Sequence, residues 1–300
     1  MMNVATLNTN RLWAYLQLTR PANIVTAWAD VLAGIAAAGF AISLNPVSVI
    51  CLLIATTGLY GGGVVFNDVF DAELDAKERP ERPIPSGRAT FRGAAFFGSI
   101  LLIVGVSAAA QVSLLSMAIA IGVAAAALLY DAYGKHHTFL GPLNMGICRG
   151  GNLLLGVSIL SPMLAESWYL ALIPITYIAA ITAISQGEVH GGKRSTGIVA
   201  LVLMGAVITG LLGLGGLNKS NLVAVVPFVI LLSGRVLLPF IKAVSEPSAE
   251  NIRTAVRSGV LSLIVLDATI SCSFAGLPYG LLVLILLPIS MVLARLFAVT

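Results

Sequence analysis

Asn67, Asp71 and Asp75 stand four residues apart within the run FNDVFDAELDAKERPERPIPSGR at positions 66–88. On an α-helix each step of four turns only about 40° about the axis, so the three side chains share one face. Asp68 flanks that face. Carboxylates gathered near a helix C-terminus repel one another and oppose the helix dipole, which calls for a neutralising charge. Hard oxygen donors with an amide among them suit Mg2+, which takes one or two carboxylates and completes its shell with water and substrate phosphates. The plainer alternative is a solvated loop in which Lys77, Arg79, Arg82 and Arg88 balance the acids. Glu73, Glu78 and Glu81 fall off the register and read as solvated. Pro80, Pro83 and Pro85 exclude helix and predict an extended segment, stiff enough for its arginines to fold back over the carboxylates. Arginine forks suit bidentate phosphate contacts. Carboxylates for Mg2+ and arginines for phosphate together read as a diphosphate site.

The elements that position this run are apolar. Of 300 residues, 58% are hydrophobic and 10% charged, with a mean hydropathy of +0.98; soluble domains carry about 25% charged residues. Such a chain belongs in a lipid bilayer. Apolar stretches fall at roughly 22–43, 46–68, 91–110, 112–130, 139–161, 168–187, 196–216, 222–241, 256–276 and 278–297, each near the ~20 residues that span a membrane. They predict an all-α, polytopic membrane bundle of nine transmembrane helices, or ten, forming one membrane domain over residues 1–300. The stretches are too long and too uniformly apolar for barrel strands. With alternating helices, fifteen of the 17 Lys and Arg fall on one side, Lys219 on the other and Arg149 inside a span. By the positive-inside rule the N-terminus and the long polar loops are cytoplasmic. The opposite loops, near 44–46, 111–113, 162–167 and 216–221, are short. The basic charge therefore reports topology, and no nucleic acid partner is expected. The first twenty residues lack a separate apolar stretch ending in small residues, so no cleavable signal is expected. Cys51, Cys148 and Cys272 share no metal-binding spacing and read as buried thiols.

Polar groups inside spans need partners. Arg149 in the fifth helix, near Asn144 and Asn152, calls for a carboxylate such as Asp131 or for a diphosphate. Asp30 and Asp267 are lone acids suited to hydrogen bonds between helices. Gly61-Gly62-Gly63 has no following Lys-Ser/Thr and reads as close helix packing rather than a phosphate loop.

Asn67-Asp68-x-x-Asp71-x-x-x-Asp75 followed by Arg82-Pro-x-Pro-Ser-Gly87 resembles the first signature of the UbiA superfamily of intramembrane prenyltransferases. Leu18-Thr-Arg20-Pro21-Ala-Asn23 resembles that family's opening, and Tyr130-Asp-Ala-Tyr133-Gly-Lys135 its Tyr/Lys motif. The resemblance implies a helical bundle around a central cavity with a polar cytoplasmic cap. Two Asp-rich motifs there hold Mg2+ ions that bind a prenyl diphosphate, and loss of diphosphate leaves an allylic cation that alkylates a hydrophobic acceptor, aromatic or lipid-like. It places Asn67, Asp71 and Asp75, assisted by Asp68, on Mg2+, and Arg82 and Lys135 on diphosphate. Arg20, Asn23, Arg79, Tyr130, Arg149, His190 and Lys193 would line the substrate pocket. Asp71, Asp75, Glu188 and Lys135 would carry the chemistry. The family's second motif, Asp-x-x-x-Asp-x-x-x-Gly, is altered: Ile184 stands at its first acid and Glu188 at its second, before His190 and Gly192. Glu188 could ligate a second Mg2+, with Gln186 or His190; alternatively Glu188 and His190 cap the sixth helix and pair with Lys193 and Arg194. The phrase Glu-Val-His-Gly-Gly-Lys-Arg-Ser-Thr loosely resembles the EboC-type branch. A catalytically impaired relative that binds or moves an isoprenoid or other lipid is the competing expectation. An ion-coupled transporter would need acids at mid-membrane and broken helices, and the acids cluster elsewhere.

Overall fold

The computed structural model describes residues 4–39, 45–217 and 222–297. Among them every regular element is helical. A first helix, α1 (Val4–Leu18), precedes α2 (Pro21–Ala37), and Pro21 starts α2 at the position where its missing N–H costs nothing. Next come α3 (Pro46–Phe70), the short α4 (Ala72–Glu78), α5 (Phe91–Ala110) and α6 (Leu114–Ala132). α7 (Leu140–Val157), α8 (Met163–Ser167) and α9 (Leu172–Ser185) lead to α10 (Arg194–Leu217) and α11 (Leu222–Ser245). The chain ends in α12 (Ala249–Ala275), α13 (Leu277–Leu284) and α14 (Leu286–Leu296). Polar side chains start several of the long helices: Asn45, Thr90, Ser113 and Ser248 each accept a backbone N–H of the first turn.

Among the described residues all ten apolar stretches are helical, and eight spans, close to the nine or ten expected, are long and apolar enough to cross a bilayer. α8 and α9 act together as the span Met163–Ser185, and α13 with α14 as Leu277–Leu296. The two stretches that miss the mark are α2, with 17 described residues, and α7, whose 18 residues include Asn144, Arg149 and Asn152. Both are interior helices. Fifteen residues of α2 are buried, and it packs on α3, α7, α12 and α14. Phe96, Val202, Ile230 and Leu238 on the outer helices are exposed, as lipid-facing side chains are. Lys219, with residues 40–44 and 218–221, lies outside the described residues.

Without water to expel, helices in lipid associate by close packing, for which small residues are needed. A Cβ on Gly34 of α2 would lie 2.1 Å from the Leu153 carbonyl oxygen of α7, and one on Gly156 would lie 2.2 Å from that of Val31. The α2 and α7 backbones therefore touch. Gly62 lies against α5, where its Cβ would come 2.7 Å from Leu102 Cδ2 and 3.0 Å from the Gly98 carbonyl oxygen, so within the glycine triplet it is Gly62 that serves close helix packing. Gly34→Val is expected to destabilise the protein by at least the ~1–3 kcal/mol of an overpacked core, read as a lower Tm in detergent. Gly205→Ala, inside α10 where an added Cβ meets nothing within 4 Å, is expected to hold or raise Tm.

Candidate active site

The acid-rich run lies where α3 gives way to α4. α3 ends at Phe70, and Asp71 closes it with φ −89° and ψ 2°. The Asp71 N–H still donates to the Asn67 carbonyl at 3.0 Å, and the Asp75 N–H to that of Asp71 at 2.8 Å. The expected single helix is thus broken at Asp71, but the four-residue register that aligns Asn67, Asp71 and Asp75 survives the break.

Each acid has drawn a cation from a different element. Asp68 Oδ1 accepts Arg20 Nη2 at 2.9 Å and Arg82 Nη1 at 3.2 Å. The same Arg82 nitrogen donates to Asp75 Oδ2 at 2.8 Å, and Lys135 Nζ, beyond α6, to Asp71 Oδ1 at 2.5 Å. Asn67 Nδ2 donates to Asp131 Oδ1 at 2.9 Å, which leaves Asn67 its amide oxygen to offer. These charges offset the repulsion of acids at the end of α3. Asp75 is 4% exposed. Burial pushes its carboxyl above the ordinary range, with the Arg82 guanidinium pulling the other way. Arg20 is the one described non-glycine residue with positive φ, at 48°. That left-handed turn costs about 1–2 kcal/mol and aims its guanidinium at Asp68.

The proline-rich segment is folded rather than extended. The Ser86 N–H donates to the Arg82 carbonyl at 3.0 Å and the Ala89 N–H to the Pro83 carbonyl at 2.8 Å, with Gly87 at φ 72° closing the turn. Proline blocks a helix but leaves its carbonyl free to accept, and the chain curls on those carbonyls. Arg88 ties the turn to α1 through Gln17 Oε1 at 2.7 Å. Arg82 is thereby held over the carboxylates.

Two cavities meet at Arg20. A polar one of about 440 Å³ is bordered by Arg20, Asp68, Arg79, Arg82, Glu188 and Arg253 among others. A mostly apolar one of about 190 Å³ runs between α3, α6 and α7: Arg20, Asn67, Tyr130 and Asp131 form its mouth, Leu59, Val64, Val123 and Met145 its walls, and Arg149 and Asn152 its depth.

Glu188 comes to the polar cavity on the loop after α9. Gly187 and Gly192 of that loop close on Ile252 of α12, and the Gly192 N–H donates to the Pro247 carbonyl at 3.0 Å. Glu188 Oε1 is buried without a hydrogen-bond partner. Burial pushes the carboxyl upward, while Arg79, Arg20, Arg253 and Arg82, in that order, pull it down. No ion pair to Lys193 or Arg194 forms among the described residues, so the expected local pairing is replaced by a distant set of arginines. His190 and Lys193 are exposed and line neither cavity. Nor does Asn23, buried in the first turn of α2, where its carbonyl accepts Thr26 Oγ1 at 2.7 Å. Ile184, at the altered acid position, is 4% exposed within the core.

Arg149 finds neither Asp131 nor a free place. Its Nη1 donates to Asp30 Oδ2 and its Nη2 to Thr26 Oγ1, both at 2.7 Å. Asp30 is therefore not a lone acid; the contact of α2 with α7 at Gly34 and Gly156 sets it beside Arg149. Sequence reasoning missed Arg253, which no spacing connects to the acid-rich run.

Among the described residues, no group of three or more His, Cys, Asp or Glu forms a ready-made metal cage. The donors present are single hard oxygens: Asp71 and Asp75 each with one oxygen committed to a cation, the Asn67 amide oxygen, and the unpartnered Glu188 Oε1. That set fits an ion that brings phosphates and water to complete its shell, as Mg2+ does.

The model of the UbiA prenyltransferase family matches residues 26–252. A digeranylgeranylglyceryl phosphate synthase of Methanoculleus marisnigri is 32% identical over 239 residues, covering 73% of this chain and 84% of that protein. In fold, the chain resembles a solved digeranylgeranylglyceryl phosphate synthase with a TM-score of 0.65, 19% identity, and coverage of 89% of this chain and 99% of the other. It also resembles a UbiA homologue of Archaeoglobus fulgidus solved bound to DMAPP and Mg2+, with a TM-score of 0.53, 14% identity, and coverage of 93% and 98%. Its membrane helices, its acid-and-arginine mouth and the span of the family match lead to one conclusion: this chain belongs to the UbiA prenyltransferase family.

Proposed function

We propose that this prenyltransferase uses Mg2+ to transfer a prenyl group from a prenyl diphosphate to a lipid-like acceptor within the membrane. The observation that carries the reading is the junction at Arg20 of a polar cavity rich in acids and arginines with an apolar cavity beneath it. A diphosphate and a hydrocarbon tail need those two environments side by side. Asp71, Asp75 and Asn67, with Asp68 in support, would hold one metal ion, and Glu188 would contribute to a second. When bound, Mg2+ withdraws charge from the departing diphosphate. Arg79, Arg82 and Lys135 would hold its oxygens, stabilising the negative charge that develops there. The C–O bond breaks with its electron pair going to diphosphate, the acceptor attacks the allylic carbon, and the acceptor loses a proton. Apolar walls keep water from the cation. The Methanoculleus relative, named for digeranylgeranylglyceryl phosphate, supports a lipid-like acceptor and a long isoprenoid donor. The gathering of basic residues supports a cytoplasmic mouth and N-terminus.

One observation favours a second reading, an impaired relative that binds or moves an isoprenoid: Ile184 in the core where the family places an acid. Purified protein given Mg2+, geranylgeranyl diphosphate and prenylated glyceryl phosphate is expected to release diphosphate. Asp71→Asn is expected to lower that rate by on the order of 10²-fold or more. Binding of the donor without release, across lipid and aromatic acceptors, would favour the second reading.

Glu188 supplies a further test. Its carboxyl titrates higher in the folded protein than in the unfolded chain. The folded state therefore holds its proton longer, and stability present at low pH is lost as pH rises through the folded pKa. Glu188→Gln removes that loss. Without metal, the variant's Tm is expected to exceed the wild type's by a margin that grows with pH above the ordinary glutamate range, while its Mg2+-dependent diphosphate release falls. A margin independent of pH would show that the carboxyl is not held high by burial.

A further inference from the structure

A second polar cluster lies deep in the bundle, between α2, α7 and α12, and shares no residue with the acid-rich run. Asp30 Oδ2 accepts Arg149 Nη1 at 2.7 Å and Asn152 Nδ2 at 2.9 Å. The other Asp30 oxygen, both oxygens of Asp267 and the Ser271 hydroxyl are buried with no hydrogen-bond partner. All three side chains are 0% exposed. Asp267 lies within hydrogen-bonding reach of Asp30, and Ser271 follows it by one turn of α12, on the same face.

Charge and hydrogen bonding have a common solution here. Two ionised carboxylates against one guanidinium would leave a net negative charge in the interior of a bilayer, where unpaired charge is costly. Two carboxylates in contact oppose each other's ionisation. A single proton makes the cluster neutral, and an Asp267 O–H donating to Asp30 Oδ1 gives a partner to an orphaned oxygen on each side. Neither cavity described above is lined by Asp30 or Asp267, and a proton, unlike a hydrated metal ion, needs no space.

We propose that Asp267 is a neutral acid that shares one proton with Asp30, and through it acts as a positioning residue for the wall of the apolar cavity. Asp267 fixes Asp30, and Asp30 with Thr26 fixes Arg149. The Arg149 guanidinium then lies 4.9 Å over the Tyr60 ring, and both side chains face the apolar cavity. A neutral cluster keeps that wall acceptable to a hydrocarbon tail. The positioning role rests on the prenyl-transfer reading, whereas the proton does not.

Infrared spectra of the purified protein read the proton without any turnover. The wild type is expected to show the C=O stretch of a protonated carboxylic acid, shifted in D2O and absent from Asp267→Asn. Absence of that band, or thermal stabilisation by Na+ that Asp267→Asn abolishes, would overturn the proposal, the latter by showing a metal ion in the proton's place. Positioning is read by binding of geranylgeranyl diphosphate. Asp267→Asn, which keeps a neutral donor, is expected within about threefold of wild-type Kd, and Asp267→Leu, which keeps none, at least about tenfold weaker. Equal damage by both would overturn the positioning role. Should Asp267→Leu fail to fold, the infrared comparison of wild type with Asp267→Asn still decides the proton, and a Kd for Asp267→Asn more than about tenfold weaker overturns the role. Donor binding without diphosphate release would count against the prenyl-transfer reading and leave the infrared result standing.

Discussion

One carboxylate oxygen, Asp68 Oδ1, holds the mouth of this enzyme together. It receives Arg20 from the turn between α1 and α2 and Arg82 from the proline-rich turn after α4. Arg82 also grips Asp75, so the proline-rich turn and the distant start of α2 both close on the acid-rich run within a few ångströms. Exposed ion pairs contribute little, but these side chains are largely buried, and losing one partner would leave the others desolvated and unmatched. The left-handed backbone at Arg20 is a cost sustained by that arrangement.

The same pairing explains how so many acids coexist in an apolar chain. Each of Asp68, Asp71 and Asp75 has a cation of its own or shares one, with single oxygens left uncommitted. The mouth is therefore close to charge balance as it stands. A diphosphate arriving with Mg2+ adds charges of both signs, so the arginines and carboxylates can exchange partners without any charge being stranded. Glu188 differs: it stands among four arginines and bonds to none through its buried oxygen.

Much of this was legible in the chain. Ten apolar stretches gave ten helical regions, and the spacing of Asn67, Asp71 and Asp75 kept its meaning because backbone hydrogen bonds carry the register across the break at Asp71. The proline-rich turn was misjudged because proline's lost donor was weighed and its retained carbonyl was not. Among the described residues eight spans meet the length and apolarity of a membrane crossing, close to the nine expected, because interior helices such as α2 and α7 need neither the length nor the uniform apolarity of helices that face lipid. Arg149 with Asp30, and Arg253 with Glu188, were beyond reach for a different reason. Tertiary packing decides which helix faces meet, and nothing in the local spacing of these residues encodes it. His190 and Lys193 show the converse, since adjacency to a motif did not bring them to a cavity.

The contact of α2 with α7 has a consequence for the polar groups beside it. The apolar cavity has Arg149 and Asn152 in its lining, and polar groups inside a bilayer need partners. Gly34 lies one turn beyond Asp30, and Gly156 one turn beyond Asn152. There the two backbones press together too closely to admit a methyl group. Bare peptide against bare peptide leaves no room for water between α2 and α7 there, so the contact that sets Asp30 beside Arg149 also keeps that pair dry.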